Sequence, residues 1–207
     1  PDADYTAFLQ SSDSLNNDLF TTMAEAGYQT VNIALPAGSI YYNENSLNIP
    51  DGMSVTFFGL PGEKQAIIGV KSIDIAGTHD FIKFENVEIT GASMKADGNN
   101  TINDYLFNQS KASTVGSIEF SNSLINGFKN TPVRLQGSDI KVIDLVKFEN
   151  CTVFGADART YSLIHIDASS GKGKIENIEF SKTTVIYSGK CLVYSRNTDF
   201  TSLKLAD

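Results

Sequence analysis

The chain lacks tryptophan and holds only two cysteines and two histidines in 207 residues. Cys151 and Cys191 are too few for a disulfide framework, and no C-x-x-C or Cys/His spacing typical of zinc sites occurs. No apolar run is long enough to cross a bilayer as a helix. These absences argue against a disulfide-rich scaffold, a zinc module and a membrane span.

Basic residues are also scarce. The chain has 16 Lys and Arg against 24 Asp and Glu, a formal net charge of -8. Because nucleic acid backbones and anionic membrane surfaces are bound mainly through Lys and Arg, we expect neither as a partner. The chain begins at Pro1 rather than Met, which suggests a processed product, so the missing signal peptide says nothing about compartment.

What the chain does contain is a short pattern in four copies: an aromatic residue, any residue, Asn, then an aliphatic residue and a glycine at fixed offsets. The copies span 82–91, 118–127, 146–155 and, in degenerate form, 178–185. Their phenylalanines, Phe84, Phe120, Phe148 and Phe180, are 36, 28 and 32 residues apart. Strand-like content repeated at such irregular intervals indicates a coiled stack of strands rather than a propeller or a helical array.

Alternation within the copies predicts which side chains face inward. The four phenylalanines face the core, and so do Ile89, Ile125, Val153 and Val185. The residue before each phenylalanine faces outward, and its charge alternates along the chain: Lys83, Glu119, Lys147 and Glu179. In adjacent coils these charges would pair across neighbouring strands, a structural role rather than a ligand site, since alternating signs leave no net field.

Asn86, Asn122 and Asn150 occupy the turn of three copies. Asn tolerates left-handed backbone, and identical amides stacked coil on coil can hydrogen-bond along the stack. Lys182 replaces the Asn in the fourth copy. We therefore expect an amide ladder that ends before Lys182.

One helix is predicted, over residues 14–27, with Ser14 as its cap and Gly27 at its end. Its apolar stripe comprises Leu15, Leu19, Phe20, Met23 and Ala26. After it the apolar period changes to alternation and never changes back. We expect the helix to cover the open edge of the first coil, where strand edges would otherwise stay unpaired.

A second short strand follows in each repeat unit: 105–107, 133–135, 163–166 and 191–194. The predicted fold is all-β, a single-stranded parallel β-helix in one domain, 1–207, with coils over 28–207. Phe200, Leu203 and Leu205 predict one more strand with no cap behind it. We therefore expect the domain to be part of a longer protein.

The predicted helix, the segments 30–38 (TVNIALPAG) and 58–62 (FGLPG), and the Phe-x-Asn copies together resemble the pectate-lyase-like right-handed β-helix superfamily. They look closest to its chondroitinase-B-like relatives and to an uncharacterised β-helix domain of surface and periplasmic proteins from polysaccharide-degrading gut bacteria. The resemblance implies right-handed winding, a polysaccharide partner, and a secreted, periplasmic or outer-surface location. Its motifs are core and turn residues, which specify a fold and not an activity.

Lyases of this superfamily, by the same resemblance, use an Arg or Lys base, often with Ca2+ held by acidic side chains. Arg134 and His165 are the candidate catalytic residues, because they lie 14 and 15 residues before the next repeat phenylalanine. Both would then face outward on adjacent coils, as a cation beside a group that titrates near neutral pH. The alternatives are carbohydrate contact without catalysis, or two polar residues on an exposed strand.

Tyr161, Tyr187 and Asp167 are the candidate ligand-binding residues. Tyrosines near loops, Tyr41 and Tyr42 included, could form a platform for sugar rings, with core or rim packing as the alternative. Asp139, Asp144 and Asp167 could supply the paired carboxylates of a glycosidase, although sequence spacing does not give their separation.

Residues 97–101 superficially suggest a calcium loop, but the glycine at position six and the Glu at position twelve of such loops are missing. No metal site is therefore predicted from the residues, while the resemblance keeps Ca2+ open as a cofactor.

Three functions stay open. The first is polysaccharide binding, or an accessory role in polysaccharide degradation, at the cell envelope. The second is a polysaccharide lyase or glycoside hydrolase that acts on uronic-acid glycans through Arg134 and His165. The third is a structural or adhesin-like spacer. Neither the polymer nor the oligomeric state follows from the sequence.

Overall fold

A computed structural model describes the chain over residues 4–11, 13–94, 100–154, 162–187, 191–196 and 200–207. At positions 93, 94, 100, 101 and 187 it describes the backbone alone. In this part of the chain the elements, in order, are β1 (Asp4–Phe8), α1 (Asn17–Glu25), β2 (Thr30–Leu35), β3 (Ile40–Asn43), β4 (Leu47–Asn48), β5 (Ser54–Gly59), β6 (Ala66–Val70), β7 (Ile73–Asp74), β8 (Gly77–Glu85), β9 (Val87–Thr90), β10 (Ala92–Met94), β11 (Asn100–Ile102), β12 (Phe107–Gln109), β13 (Ser113–Ser121), β14 (Leu124–Asn126), β15 (Val133–Gly137), β16 (Lys141–Glu149), β17 (Thr152–Phe154), β18 (Ile164–Ala168), β19 (Gly173–Ser181), β20 (Thr184–Tyr187), β21 (Val193–Ser195) and β22 (Phe200–Ala206).

The strands sort into three parallel sheets and one antiparallel hairpin, β10–β11. The first sheet has the order β1-β2-β5-β8-β13-β16-β19-β22, the second β3-β6-β9-β14-β17-β20, and the third β4-β7-β12-β15-β18-β21. Each coil gives one strand to each sheet in turn, so the backbone winds through about 6 turns. The prediction of an all-β parallel β-helix is confirmed, and the winding is consistent with the right-handed form.

The repeat phenylalanines form one continuous stack inside the coils. Neighbouring rings from Phe57 through Phe84, Phe120, Phe148 and Phe180 lie with centroids 5.1, 5.2, 4.7 and 4.9 Å apart and nearly parallel. These distances match the spacing of adjacent strands, about 4.8 Å. The four predicted core positions are therefore confirmed, and Phe57 extends the stack by one coil.

The outward charges also lie in the predicted column. Strand pairing places Lys83 beside Glu119, Glu119 beside Lys147, and Lys147 beside Glu179, and continues to Lys204 in β22. Lys83 Nζ lies 3.4 Å from Glu119 Oε1. The closest partner of Lys147 is not the predicted one. Its Nζ donates a hydrogen bond to Glu149, two residues along the same strand, at 2.7 Å.

The asparagine turns share a left-handed backbone, with φ of 53° at Asn86, 49° at Asn122 and 51° at Asn150. The Asn150 amide donates to Asn122 Oδ1 at 2.7 Å, and the Asn86 amide donates to the Gly59 carbonyl at 2.9 Å. Gln65 joins the two halves, because its amide donates to the Asn122 carbonyl at 2.7 Å. The column of stacked turns predicted from the sequence is present, with Gln65 as an unforeseen member.

Helix α1 is shorter than predicted, and its cap is not Ser14. The Asn16 side chain accepts a hydrogen bond from Leu19 N at 3.3 Å, which makes Asn16 the cap. Gly27, at φ 85°, ends the helix as expected, with Tyr28 N donating to the Met23 carbonyl. The buried ring of Phe20 meets Phe57 edge-on, so the helix closes the apolar interior of the coils.

Strand β1 and the side chains of two asparagines close the coils at the end where α1 lies. Strand β1, which the sequence pattern did not reveal, pairs with β2 in the first sheet. At the third sheet, the Asn17 amide donates to the Ser46 carbonyl and its oxygen accepts from Asn48 N, at 3.1 and 2.8 Å. At the second sheet, Asn43 donates to the Leu15 carbonyl at 2.9 Å. The predicted edge cover is present, but the helix shares it with β1.

A histidine and a lysine are among the buried polar residues of the first sheet. His79 is buried, with Nδ1 2.7 Å from the Met53 carbonyl oxygen and Nε2 3.2 Å from that of Ala76. Lys141 is buried as well, and its Nζ donates to the Asp139 carbonyl oxygen. Burial lowers the pKa of Lys141 from its ordinary value. Backbone carbonyls thus compensate both groups, and His79 is a structural histidine.

No helix of the described residues is both long and apolar enough to span a membrane.

Candidate functional site

Arg134 and His165 lie directly beside each other on the outer face of the third sheet. Arg134 belongs to β15 and His165 to β18, and strand pairing makes them register partners. The same column contains Asn108 in β12 on one side and Tyr194 in β21 on the other. The predicted proximity of Arg134 and His165 is therefore confirmed. Whether the pair has a catalytic role stays a prediction.

Asp167 links this column to the next coil. Its Oδ1 accepts from Arg196 Nε at 2.8 Å, and its Oδ2 lies 3.8 Å from Arg134 Nη2. Oδ2 also lies 3.9 Å from His165 Nε2. One carboxylate thus stands among two guanidinium groups and an imidazole, and the local excess charge is positive in a chain that is acidic overall.

Two tyrosines flank the charged groups. Arg134 Nη1 donates to the Tyr105 hydroxyl at 2.9 Å, and the guanidinium carbon lies 5.3 Å from the Tyr105 ring centroid. On the other side the His165 and Tyr194 rings lie 4.8 Å apart at an interplanar angle of 49°. Aromatic faces beside guanidinium groups suit a ligand that combines sugar rings with carboxylates.

The environment of His165 favours the neutral imidazole. Burial is the largest cause that lowers its pKa below the usual 6.5, and the charge of Arg134 lowers it further. Asp167 opposes these effects with a smaller one. His165 is therefore uncharged at neutral pH and can act as a hydrogen-bonding or basic group, but it adds no positive charge.

Two buried polar atoms of this column have no hydrogen-bond partner among the described residues: Asn108 Oδ1 and Arg134 Nε. Such atoms are rare in folded proteins, because an unsatisfied buried polar group costs about 1–3 kcal/mol. They lie on register partners of adjacent strands. Within the described part of the chain, unsatisfied hydrogen-bonding capacity thus lies buried next to the arginines and tyrosines.

Of the other predicted residues, two have no described side chain and one lies elsewhere. Tyr161 lies outside the described residues, and Tyr187 contributes backbone to β20 of the second sheet. Tyr41 is wrong as a platform residue, because its side chain is buried and its hydroxyl donates to the Gln10 carbonyl at 3.1 Å. Asp167 is the one of the three predicted ligand-binding residues whose side chain the structure describes, and it lies beside Arg134 and His165.

Asp144 and Asp167 do not form the carboxylate pair considered for a glycosidase. Asp144 lies in β16 of the first sheet, whereas Asp167 lies in β18 of the third, so the two occupy different faces of the coil. Residues 97–99 of the calcium-loop candidate lie outside the described part. Within that part, no group of three or more His, Cys, Asp or Glu side chains could hold a metal ion.

Sequence reasoning missed Tyr105, Asn108, Tyr194 and Arg196. The column itself was the available signal, since Tyr194 lies 29 residues after His165, close to the coil length found elsewhere. Arg196 follows β21, and its N–H donates to the Ile166 carbonyl at 2.9 Å, which places it beside Asp167. Coil lengths in this chain vary, so the register of each strand was needed before these residues could be assigned.

A cavity of about 600 Å³ lies elsewhere, between β1 and α1, with Leu9, Met23 and Tyr28 among its lining residues. Arg134, His165, Asp167 and Arg196 do not line this cavity. The candidate residues instead lie on the outer face of the third sheet, where Arg196 and Tyr194 are exposed and Arg134, His165 and Asp167 are mostly buried.

Comparison with protein-family models, with curated proteins and with solved structures finds no match to this chain. The β-helix therefore rests on the observed strand pairing, and membership of the pectate-lyase-like superfamily stays a prediction.

Proposed function

We propose that this chain binds a carboxylate-bearing polysaccharide along the outer face of the third sheet. The observation that carries the proposal is the column of Arg134, His165 and Tyr194 on adjacent strands, with Arg196 and Tyr105 beside it. A polymer laid across the strands would meet a new side chain at each step of about 4.8 Å.

Each part of the surface has a distinct role in this proposal. Arg196, whose side chain is 60% exposed, pairs with ligand carboxylates through its planar guanidinium. Tyr194 offers a partly exposed ring to the apolar face of a sugar. Arg134, which is mostly buried, holds the Tyr105 hydroxyl through its Nη1 and so supports the Tyr105 ring beside this surface.

Binding of polygalacturonate, compared with the neutral polymer dextran, tests this proposal by isothermal titration calorimetry. We expect binding of polygalacturonate and little binding of dextran. Arg196→Ala should weaken it about tenfold, the usual effect of losing a hydrogen bond to a charged group. Tyr194→Ala should weaken it as well. Lys174→Ala, which removes the same charge from the first sheet, should leave it unchanged.

Failure of the chain to bind either polymer would contradict the proposal. Equal binding of both polymers would show that the ligand carboxylate is not recognised and that sugar stacking alone accounts for the binding. Loss of binding in Lys174→Ala as large as in Arg196→Ala would mean that overall charge, not this surface, decides.

A second candidate, polysaccharide lyase activity, is favoured by one observation: a neutral His165 lies beside Arg134. In such a reaction Arg134 would neutralise the substrate carboxylate, and His165 would remove the proton from the ring carbon that bears it. The bond from the next ring carbon to the glycosidic oxygen would break as the carbon–carbon double bond forms, and the leaving oxygen would take a proton from His165 or from water. Ultraviolet absorbance of unsaturated products in polygalacturonate incubations distinguishes the two. The binding function predicts no increase, whereas the lyase predicts an increase that both Arg134→Ala and His165→Ala abolish.

A further inference from the structure

A groove runs across the coils on the outer face of the second sheet, beside the asparagine turns. Its floor is a column of register partners on β3, β6, β9, β14 and β17: Ile40, Ile67, Glu88, Leu124 and Thr152. Two cavities, of about 390 and 410 Å³, lie along this column, and Gln65 lines both. The groove therefore spans five coils, on a different face from the arginines of the third sheet.

The groove is narrow and has a border on each side. On one side Gln65 reaches over the neighbouring turn, with Nε2 3.4 Å from Asn86 Oδ1 and 2.7 Å from the Asn122 carbonyl oxygen. On the other side β10 packs against β3 and β6. The floor strands have three to five residues, so the face is about 10–17 Å wide. That width fits one extended chain, whereas a folded partner needs a broader face.

The floor of the groove is largely aliphatic. The first sheet carries a column of alternating Lys and Glu on its outer face, but this column has one charged residue, Glu88, whose Oε1 accepts from Asn126 Nδ2 at 2.9 Å. Ile40 is 49% exposed, and Ile67 and Leu124 are half-buried. Aliphatic side chains aligned along one groove indicate contact with apolar groups of a ligand.

The side of the groove supplies hydrogen-bond donors. Asn122 is committed through its oxygens, since Oδ1 accepts from Asn150 and the carbonyl accepts from Gln65. Its Nδ2 donates to no group in the part of the chain that the structure describes, and the same holds for the hydroxyl of Thr152, which lines the same cavity. Both donors suit the carbonyl oxygens of a chain that does not bond them internally.

The spacing of two aliphatic positions favours one conformation of that chain. Ile67 and Leu124 lie two strands apart in the column, with β9 between them, which is about 9.6 Å at a strand spacing of about 4.8 Å. In a polyproline II helix, residues i and i+3 lie on the same side about 9.3 Å apart. In a β-strand, residues on the same side are about 6.6 or 13 Å apart. The polyproline II spacing is the one that matches.

We propose that this groove binds a proline-rich peptide in the polyproline II conformation, with apolar residues at i and i+3 against Ile67 and Leu124. Asn122 and Thr152 donate to main-chain carbonyl oxygens of the peptide, which has no internal hydrogen bonds. The groove contains none of the residues assigned to polysaccharide, so the two proposals stand or fall separately.

Two fluorescein-labelled peptides of identical composition test this inference by fluorescence anisotropy with the intact chain. The matched peptide, PPLPPLPPLPP, has leucine at every third position. The mismatched peptide, PPPLPLPLPPP, has leucine at every second position, so that no two leucines have the i, i+3 spacing. We expect the matched peptide to bind at least about fivefold more tightly, since the mismatched one loses an apolar contact.

Variants of the floor and of the side identify the groove. Ile67→Thr and Leu124→Thr should each weaken binding of the matched peptide at least about threefold. Leu145→Thr changes a half-buried outward leucine of the first sheet and should leave binding unchanged. Asn122→Asp keeps the acceptor for Asn150 but removes the donor, and it should weaken binding about threefold to tenfold. Thermal unfolding checks that each variant is folded.

Absence of binding by both peptides up to millimolar concentration would overturn the inference, as would equal binding of the two. A loss in Leu145→Thr as large as in Leu124→Thr would also overturn it. Displacement of the matched peptide by dextran would assign the groove to a neutral glycan. Concentration-dependent dimers in analytical ultracentrifugation that exclude the matched peptide would assign it to a second copy of this chain. Either result would overturn the proposed partner.

Discussion

One oxygen of Asp167 lies 2.8 Å from Nε and 2.7 Å from Nη2 of Arg196, so the carboxylate forms an ion pair with the guanidinium of the following coil. The other oxygen lies 3.8 Å from Nη2 of Arg134. Asp167 therefore occupies, within the protein, the place that a ligand carboxylate would take between the two arginines.

Replacement of Asp167 by Asn should increase affinity for polygalacturonate, because it removes an internal competitor while both guanidinium groups remain. The expected increase is about two- to fivefold, in line with the energy of partly exposed ion pairs. Calorimetric titration measures it, with Asp144→Asn on the first sheet as the matched control. Weaker binding in Asp167→Asn would show instead that the carboxylate positions the arginines for the ligand.

Lowering the pH should destabilise the chain through His165. Its pKa is lower in the folded state than its usual 6.5, since burial and Arg134 disfavour the charged ring. Below about pH 6.5 the unfolded chain therefore binds a proton that the folded chain does not, and the free energy of unfolding decreases as pH decreases. The decrease continues down to the folded-state pKa and then stops.

Urea unfolding across this pH range, on the native chain and on His165→Gln, isolates the contribution of His165. The variant should show a flatter profile between pH 7 and the region of about pH 5 where carboxylates begin to titrate. Identical slopes in the two proteins would assign the pH dependence to other groups.

Lys182→Asn should stabilise the fold. Lys182 has a left-handed backbone, at φ 47°, in the turn where the other copies carry Asn. Asn adopts this conformation with less strain, and its amide could extend the hydrogen-bonded column from Asn150, for an expected gain of about 1 kcal/mol. Thermal unfolding measures the gain. Lys182→Gln removes the same charge without the conformational preference and should give no comparable gain.

Phe120→Ala should cost about 3–5 kcal/mol of the free energy of unfolding, the usual range for a buried phenylalanine. Phe120 is 1% exposed and stacks between Phe84 at 5.2 Å and Phe148 at 4.7 Å. Phe154→Ala is the control, since that ring is 43% exposed, and it should change stability by less than about 0.5 kcal/mol. Similar losses in both variants would be incompatible with the stack as the core of the fold.

The sequence predicted the coil because its strongest signals are repeated. Phe84, Phe120 and Phe148 each have an aliphatic residue two positions before and Asn two positions after, so one alternation pattern assigned inward, outward and turn positions in several coils at once. Arg134 and His165 were placed together by the same arithmetic. Residues assigned by the repeat needed no knowledge of tertiary contacts.

Residues outside the repeat were missed for physical reasons. Strand β1 has one buried side chain, Ala7, so its pairing with β2 leaves little apolar alternation in the sequence. Ser14 and Asn16 are both good helix caps, and local sequence does not choose between them. Lys141 fills an inward position because a backbone carbonyl accepts a hydrogen bond from its Nζ, which depends on the path of a turn. The contact between Arg196 and Asp167 can be predicted only once the length of the last coil is known.

The most direct test of the binding surface is a titration of the isotopically labelled chain with oligogalacturonate, followed in two-dimensional ¹H–¹⁵N NMR spectra. The expected shift changes are concentrated in 133–137, 164–168 and 193–196, on the outer face of the third sheet. Changes concentrated in the first sheet, or none at saturating oligosaccharide, would contradict the assignment of this surface to a polysaccharide.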